Sequence, residues 1–410
     1  DDLVPLVESA IDGVIKVNFA SNQFFGSIKI PSGNGDAREI PFTAENNPCD
    51  CPEREDLIAA LKILQDKLRD LIEEIRSREN LPKRREGIVR LESFATDITD
   101  FGRIAADVLY ASDSDFVYWA EKPSSARYAP RFLSAPLDVG KLLDKNFYDH
   151  LKAAVFTSAT LTVEKKFDYI IARLGLDSNS KERIMTVCLD SPFDINAQVA
   201  VMSAGYLPSP KAGEFEAAAN LSLETILLSG ANKSMVLFTS HRALRNSADY
   251  LRDHLEKAGI ELFHQDGSYG SDRIFRRFKA AKRAVLLGTD TFWEGVDLPG
   301  ELLELLILFK LPFTVPDRPW FKANLERIEK GGESSFAKLS LPEAVVKFRQ
   351  GFGRLIRTTS DRGCVVLLDC RVETSSFGRV FLNSVGGTKY RCKSADEIAR
   401  IIKDWLKHPA

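Results

Sequence analysis

Two stretches with the apolar periodicity of a helix lie in the first third of the chain. Apolar side chains of the first stretch recur at alternating intervals of four and three, which predicts a helix packed lengthwise on a partner. These residues are Leu57, Leu61, Leu64, Leu68, Leu71 and Ile75. A second such pattern runs from Ile88 to Val108, after the helix-ending Asn80-Leu81-Pro82. Residues 54–110 are therefore predicted to form a long antiparallel helical hairpin.

Before this hairpin the chain is predicted to be extended. Residues 14–19, 25–30 and 38–43 are short runs rich in β-branched and aromatic residues, and turn-forming residues separate the last two runs. We expect a small antiparallel sheet here.

From about residue 150, brief apolar runs alternate with helical segments. The runs are 153–156, 197–201, 234–238, 261–263, 284–287, 305–309 and 364–368. Continuous apolar runs are typical of strands buried on both faces of a parallel sheet, with helices covering the sheet. The carboxyl ends of such strands are where chemistry is expected.

The composition indicates a folded protein but does not identify a binding partner. Hydrophobic residues make up 44% and charged residues 28%, which is ordinary for a folded domain. Because 56 basic residues face 58 acidic ones, any affinity for nucleic acid must come from a local basic face. The six cysteines are scattered, and no signal peptide or membrane span is evident, so we expect a protein of the reducing cytoplasm with no membrane partner.

Hydroxyl and glycine residues follow three of the predicted strands. These segments are 157–161, 239–241 and 288–297. Hydroxyl groups and free backbone amides at strand ends can bind phosphate oxygens without reading sequence, which suits contact with a nucleic-acid backbone.

A pair of arginines precedes the last predicted strand. Arg354 and Arg357 are three residues apart, so on a helix both would project from one face, with Gln350 one turn earlier. Two aligned guanidinium groups can stabilise the charge on a γ-phosphoryl group during transfer, and surface ion pairs are the alternative. The pair Gly351-x-Gly353 does not complete a dinucleotide-binding fingerprint, because Ile356 stands where the third glycine would be.

Several of these segments together resemble one helicase family. Thr157-Ser158-Ala159-Thr160-Leu161, Gly288 through Gly300, Lys310-Leu311-Pro312-Phe313 and Gln350 through Gly363 are similar to motifs III, V and VI of the DinG/XPD family of superfamily 2 DNA helicases. The resemblance covers about residues 110–390. It implies an α/β fold with two RecA-like parallel-sheet lobes, ATP between them, movement 5′ to 3′ on single-stranded DNA, and in many members an iron–sulfur cluster.

The resemblance also implies roles for individual residues. Arg354 and Arg357 would be the γ-phosphate and finger arginines, with Gln350 nearby, Glu294 and Asp297 coupling nucleotide to DNA, and Gly295 and Gly353 beside the nucleotide. Thr160, Ser240, Thr291 and Trp293 would face the DNA strand, although Trp293 could instead be a core residue. Arg276 belongs to the basic run 273–283, whose face suits DNA phosphates or is simply solvated.

The ATP site itself is incomplete in this sequence. The Gly-x-x-x-x-Gly-Lys-Ser/Thr loop and the acidic motif that binds Mg²⁺ are absent, and in the family both belong to the first lobe. We expect the chain to begin partway through a helicase, to need the remainder of the first lobe, and to hydrolyse ATP negligibly alone; a degenerate paralogue is the other explanation. Cys49 and Cys51 are the only closely spaced thiols, so no iron–sulfur cluster is expected.

The expected organisation has four parts and is monomeric. Residues 1–52 are a β-rich leader, 53–120 a hairpin resembling the family's Arch insertion, 121–200 the end of the first lobe, and 201–410 the second lobe. The alternative function is a non-catalytic nucleic-acid-binding or assembly module built on a degenerate helicase lobe.

Overall fold

The structure, a computed structural model, describes residues 3–30, 39–78, 84–123, 128–178, 183–265, 271–289, 292, 303–356, 358 and 361–407. Contacts within the chain define two units. The helical unit comprises Asp1–Val139 with Val315–Arg327, and the sheet unit comprises Gly140–Thr314 with Ile328–Ala410. This division falls after residue 139, whereas the sequence suggested boundaries after residues 52, 120 and 200.

The elements are named in chain order. The strands are β1 (Glu39–Phe42), β2 (Phe116–Glu121), β3 (Arg131–Pro136), β4 (Val199–Ala204), β5 (Lys233–Leu237), β6 (Glu261–His264), β7 (Ala284–Gly288), β8 (Leu305–Leu308), β9 (Gly363–Leu367) and β10 (Thr388–Cys392). The helices are α1 (Val4–Ser27), α2 (Pro52–Ser77), α3 (Arg84–Tyr110), α4 (Val139–Asn146), α5 (Asp168–Arg173), α6 (Ile195–Gln198), α7 (Phe215–Leu227), α8 (His241–Lys257), α9 (Ser271–Ala280), α10 (Pro319–Lys330), α11 (Leu341–Phe352), α12 (Arg371–Thr374), α13 (Gly378–Ser384) and α14 (Ala395–Lys407).

Helix α1 contradicts the predicted β-rich leader. Residues 14–19 and 25–27 belong to this helix, so the extended runs predicted there are wrong. The buried side of α1 repeats at intervals of three and four, and it packs on α2. A Cβ atom at Gly13 would lie 3.0 Å from Leu64 Cδ1, so the two helices approach closely there. Tertiary packing on α2 thus outweighs the local preference of valine and isoleucine for strands.

The helical hairpin is confirmed. Tyr110 Oη donates to Glu55 Oε2 at 2.7 Å, and Gln65 Nε2 donates to the Ile98 carbonyl at 3.3 Å. Arg76 and Glu92 form an ion pair at the far end of the pair. Since the partner numbers fall on α3 as they rise on α2, the two helices are antiparallel.

The helical unit also contains a small antiparallel sheet in the order β1-β2-β3. Strand β1 confirms the extended run predicted near residues 38–43, and its partner is β2 in a register that pairs Phe42 with Tyr118. Trp320 Nε1 donates to the Pro136 carbonyl at 2.8 Å, and Arg327 pairs with Asp138 at 3.1 Å, so the start of α10 packs beside β3.

The sheet unit is built on seven parallel strands in the order β10-β4-β9-β8-β5-β7-β6. Six of the seven predicted apolar runs form these strands, which confirms the α/β fold class. Leu305 and Ile307 of β8 face one buried cluster, while Leu306 and Leu308 face the other. Because side chains alternate along a strand, the two clusters lie on opposite faces of the sheet. Helices therefore cover both faces.

The run at 153–156 does not form a strand. Its residues are exposed, and Val155 keeps 90% of its surface accessible. None of the described strands pairs with it.

Candidate nucleotide and nucleic-acid site

Ser240 lies where β5 ends and α8 begins. Its hydroxyl accepts a hydrogen bond from the Ala243 amide at 3.2 Å, which caps the helix. The residue is exposed at the carboxyl edge of the sheet. The structure therefore places Ser240 at the expected edge and gives its side chain a capping role as well.

Thr289, directly after β7, joins His241, which ends the predicted segment 239–241, to Gln265, which the sequence did not single out. Its hydroxyl donates to Gln265 Oε1 at 3.0 Å and lies 3.4 Å from His241 Nε2. Thr289 itself is buried, whereas His241 is exposed. The position of Gln265 just after β6 is the signal that could have identified it, because parallel strands bring their carboxyl ends together.

At the start of the segment that resembles motif V, the backbone at Gly288 lies close to the side chain of Phe292. A Cβ atom at Gly288 would lie 2.7 Å from the Phe292 side chain, so a glycine is required there. Phe292 is fully buried, and its amide donates to the Thr289 carbonyl at 2.8 Å. The predicted site residues Thr291, Trp293, Glu294, Gly295 and Asp297 lie outside the described residues.

Arg354 is not on a helix as predicted. Helix α11 ends at Phe352, and Arg354 lies in the following turn, half-buried, with its amide donating to the Gly351 carbonyl at 3.1 Å. Gln350 is half-buried in the last turn of α11, and Gly353 is exposed. Glycine has a low helix propensity, so Gly351 and Gly353 favour an end of the helix before Arg354. Arg357 lies outside the described residues.

A buried glutamine holds the segment between this turn and β9. Gln198 Nε2 donates to the Thr358 and Asp361 carbonyls, each at 2.9 Å. The Asp361 carboxylate in turn accepts from the Thr358 amide at 2.8 Å and its hydroxyl at 2.6 Å. Gln198 precedes β4 and is about 160 residues away in sequence, so no local pattern indicated this contact.

The loop that resembles motif III is held by Arg349 of α11. The guanidinium group donates to the Ala159 carbonyl at 2.7 Å and to the Thr162 carbonyl at 2.5 Å. Burial lowers the pKa of Arg349 below its ordinary value. Thr160 is half-buried, and its amide donates to Ser158 Oγ at 3.2 Å. Segments resembling motifs III and VI are thus joined within the sheet unit.

The basic run 273–283 forms most of α9. Ile274 and Phe278 are buried, while Arg276 is exposed and its Nε lies 3.4 Å from the Asp272 carbonyl. The ammonium group of Lys233, on β5, donates to the Phe278 and Ala281 carbonyls at the carboxyl end of this helix. Burial lowers the pKa of Lys233. The helix is therefore anchored at its end, with its arginines outward.

The segment Lys310-Leu311-Pro312-Phe313 meets a buried carboxylate at the end of β9. Asp369 accepts from the Leu311 amide at 2.9 Å and from Arg371 Nη2 at 2.7 Å. Lys310 lies over the Phe215 ring, 4.7 Å from its centroid, and burial lowers its pKa. Asp369 and Arg371 were not predicted as site residues; they fix the start of this segment.

An apolar groove of about 590 Å³ lies near the loop that resembles motif III. Its lining includes Val155 and Met185, which keep 90% and 89% of their surface accessible, and Leu189 at 85%. These residues belong to two stretches without regular secondary structure, which pair with none of the described strands.

The described residues offer neither a metal centre nor a membrane span. They contain no group of three or more His, Cys, Asp or Glu side chains arranged to hold a metal ion. Cys49 is buried and Cys51 half-buried, both as free thiols, and burial raises the pKa of Cys49 to about 12. Within the same part of the chain, no helix is long and apolar enough to cross a membrane.

Comparison with known proteins places this sheet unit in a helicase class. Residues 223–387 match the helicase C-terminal domain family. The fold resembles a solved structure of Xpd4 from S. tokodaii, with a TM-score of 0.52 at 14% identity over 94% of this chain and 70% of that one.

The curated relatives are DinG and YoaA proteins of bacteria. Over 286 residues the chain is 37% identical to the 3′-5′ exonuclease DinG of Bacillus subtilis, covering 68% of this chain and 30% of the relative. Over 252 residues it is 33% identical to the ATP-dependent DNA helicase YoaA of Haemophilus influenzae, covering 62% of this chain and 38% of the relative. The chain is therefore related to the DinG and YoaA helicases and carries a helicase C-terminal domain, which confirms the DinG-type resemblance of its motifs. It spans about a third of the length of these relatives, 30% and 38%.

Proposed function

We propose that this chain supplies the second motor lobe and the Arch-like helical insertion of an ATP-dependent 5′ to 3′ DNA helicase. The observation that carries the proposal is the sheet unit: a seven-stranded parallel sheet with a helicase C-terminal domain, in which the segments beginning at Gly288 and Lys310 follow the ends of β7 and β8. Such lobes act by pairing with a second lobe that holds the nucleotide phosphates.

In this function Arg354 and Arg357 stabilise the charge on the γ-phosphate, with Gln350 beside them. Support comes from the half-buried position of Arg354 in the turn after α11 and from the Gln198 contacts that fix the segment following it. ATP supplies the phosphoryl group. Mg²⁺ binding is assigned to the first lobe, because the acidic motif that binds it belongs there in the family.

The partner of the sheet unit is the remainder of the first lobe. Val155, Met185 and Leu189 are almost fully exposed in stretches without regular secondary structure, and exposed apolar surface of this kind is typical of an interaction site. A stretch that does not belong to a sheet can add to a neighbouring one as a strand, so these stretches suit a role as first-lobe strands.

Single-stranded DNA is the proposed nucleic-acid partner. Thr160, Ser240 and Thr291 contact its phosphates, Trp293 faces a base, and Glu294 and Asp297 transmit the nucleotide state to these contacts. Arg276 adds a cation on the exposed side of α9. Contacts of this kind depend on backbone charge, so binding of residues 1–410 to an oligo(dT) strand weakens as salt rises.

Turnover measurements test the helicase function. Purified residues 1–410 are expected to hydrolyse ATP negligibly with or without DNA, and DNA-stimulated turnover by this chain alone would refute the division of labour. In the whole protein, Arg357→Ala is expected to lower turnover by roughly a hundredfold or more while ATP binding largely remains. Arg400→Gln, at an exposed position on α14, is the matched control. Unchanged turnover in Arg357→Ala would rule out the finger role, and a whole protein without turnover would favour the binding module.

A further inference from the structure

Arg349 connects two motif segments that the sequence places almost 190 residues apart. It stands one residue before Gln350 on α11, and its guanidinium group reaches back to the motif III loop. Nη1 donates to the Thr162 carbonyl at 2.5 Å and lies 3.2 Å from the Thr162 hydroxyl, while Nη2 donates to the Ala159 carbonyl at 2.7 Å. All three acceptors are oxygens of the loop.

The chemistry of these contacts favours arginine specifically. A planar guanidinium group offers donors in a fixed fork, so one side chain can hold two carbonyls at a set separation, whereas a lysine ammonium cannot reproduce that geometry. The group is partly buried, and burial lowers its pKa. Loss of the side chain would leave loop carbonyls without their donor.

The loop has little other support from regular structure. Residues 151–158 are exposed and form no strand, so the sheet does not fix the chain before Ala159. After Thr162, which is buried, the chain makes a tight turn in which Glu164 and Lys165 have φ values of 52° and 61°. This left-handed conformation is strained for residues with a side chain. The two Arg349 contacts, at Ala159 and Thr162, therefore lie on either side of Thr160, and the turn follows them.

We propose that Arg349 is a positioning residue that fixes the loop 157–162 against α11 and so sets the place of the Thr160 hydroxyl relative to Gln350 and Arg354. The inference rests on the proposed function, because it gives the loop a DNA contact. Arg349 acts through the loop carbonyls and does not itself contact DNA.

Two measurements on residues 1–410 test this role. In Arg349→Gln, amide exchange of the peptide covering 157–163 is expected to accelerate, while peptides from α8 keep their rates. Affinity for oligo(dT), measured by fluorescence anisotropy, is expected to fall about tenfold, within the range of mutations that alter coupling through a packed network. The salt dependence of binding is expected to stay the same. Arg379→Gln removes an exposed charge from α13 and serves as the control.

Specific outcomes overturn the proposal. Unchanged exchange at 157–163 refutes the positioning role, and a fall of about one in the salt slope shows that Arg349 binds a phosphate directly. Thr160→Ala is made in both backgrounds, and its effect on affinity is expected to shrink in Arg349→Gln; full additivity overturns the coupling. If Thr160→Ala has no effect in either background, the DNA contact of the proposed function fails, while the exchange result still decides the role of Arg349.

Two further variants keep the test decisive if Arg349→Gln does not fold. Arg349→Lys retains the charge without the fork, and Thr162→Val removes one acceptor only. Both are expected to accelerate exchange at 157–163 by less than Arg349→Gln with an unchanged salt slope, and wild-type exchange in both would refute the proposal.

Discussion

Replacement of Gln198 by methionine tests how the segment beside the arginine pair is held. Methionine preserves the length of an unbranched side chain but cannot donate to the Thr358 and Asp361 carbonyls, each 2.9 Å from Gln198 Nε2. Gln198 is 3% exposed and Asp361 6% exposed, so water cannot readily replace the lost donor at the Asp361 carbonyl.

The expected cost follows from these two bonds. A buried carbonyl left without its donor costs about 1–3 kcal/mol, and the partly buried Thr358 carbonyl adds roughly 0.5–1 kcal/mol. The Gln198 Oε1 atom is buried and has no hydrogen-bond partner in the described structure, so its removal offsets about 1 kcal/mol. The net destabilisation is about 0.5–3 kcal/mol.

Amide exchange under increasing urea measures this loss of stability at β9, because β9 begins directly after Thr358 and Asp361, which Gln198 holds. Peptides from β9 in Gln198→Met are expected to lose protection equivalent to the net cost, and ATP turnover of the whole protein is expected to fall with them. Gln23→Met, an exposed substitution on α1, should leave β9 unchanged. Equal or greater protection of β9 in Gln198→Met would refute the reasoning.

Two other predictions concern the sheet unit. Lys233→Met leaves the Phe278 and Ala281 carbonyls without a donor at the end of α9, so urea unfolding should show a loss of about 2–4 kcal/mol; an unchanged midpoint would contradict the anchoring role. The pKa of Glu224 lies below its ordinary value of 4.5: burial raises it, but hydrogen bonds from His254 and a neighbouring tyrosine outweigh that effect. The resulting stability is present above pH 4.5 and is lost as pH falls through the lowered pKa, so thermal melts of Glu224→Gln should change less than wild type between pH 5.5 and about 3. Parallel pH profiles would exclude this contribution.

The sequence predicts only part of the site. The apolar runs locate the ends of the strands, so the sequence alone places Ser240 and Thr289 at the carboxyl edge of the sheet. The role given to Arg354 stays a prediction, and its placement on a helix is wrong because α11 ends at Phe352. The roles given to Arg357, Thr291, Trp293, Glu294 and Asp297 stay predictions.

Periodicity and short motifs, each within one stretch of chain, were enough to predict six buried strands, the helical hairpin and the kind of helicase. The helix over residues 4–27 could not be predicted in this way, because it depends on packing against α2. The contacts of Arg349 and Gln198 were likewise decided by the fold. Each joins residues 160 or more positions apart, and a hydrogen bond over that separation leaves no trace in local pattern.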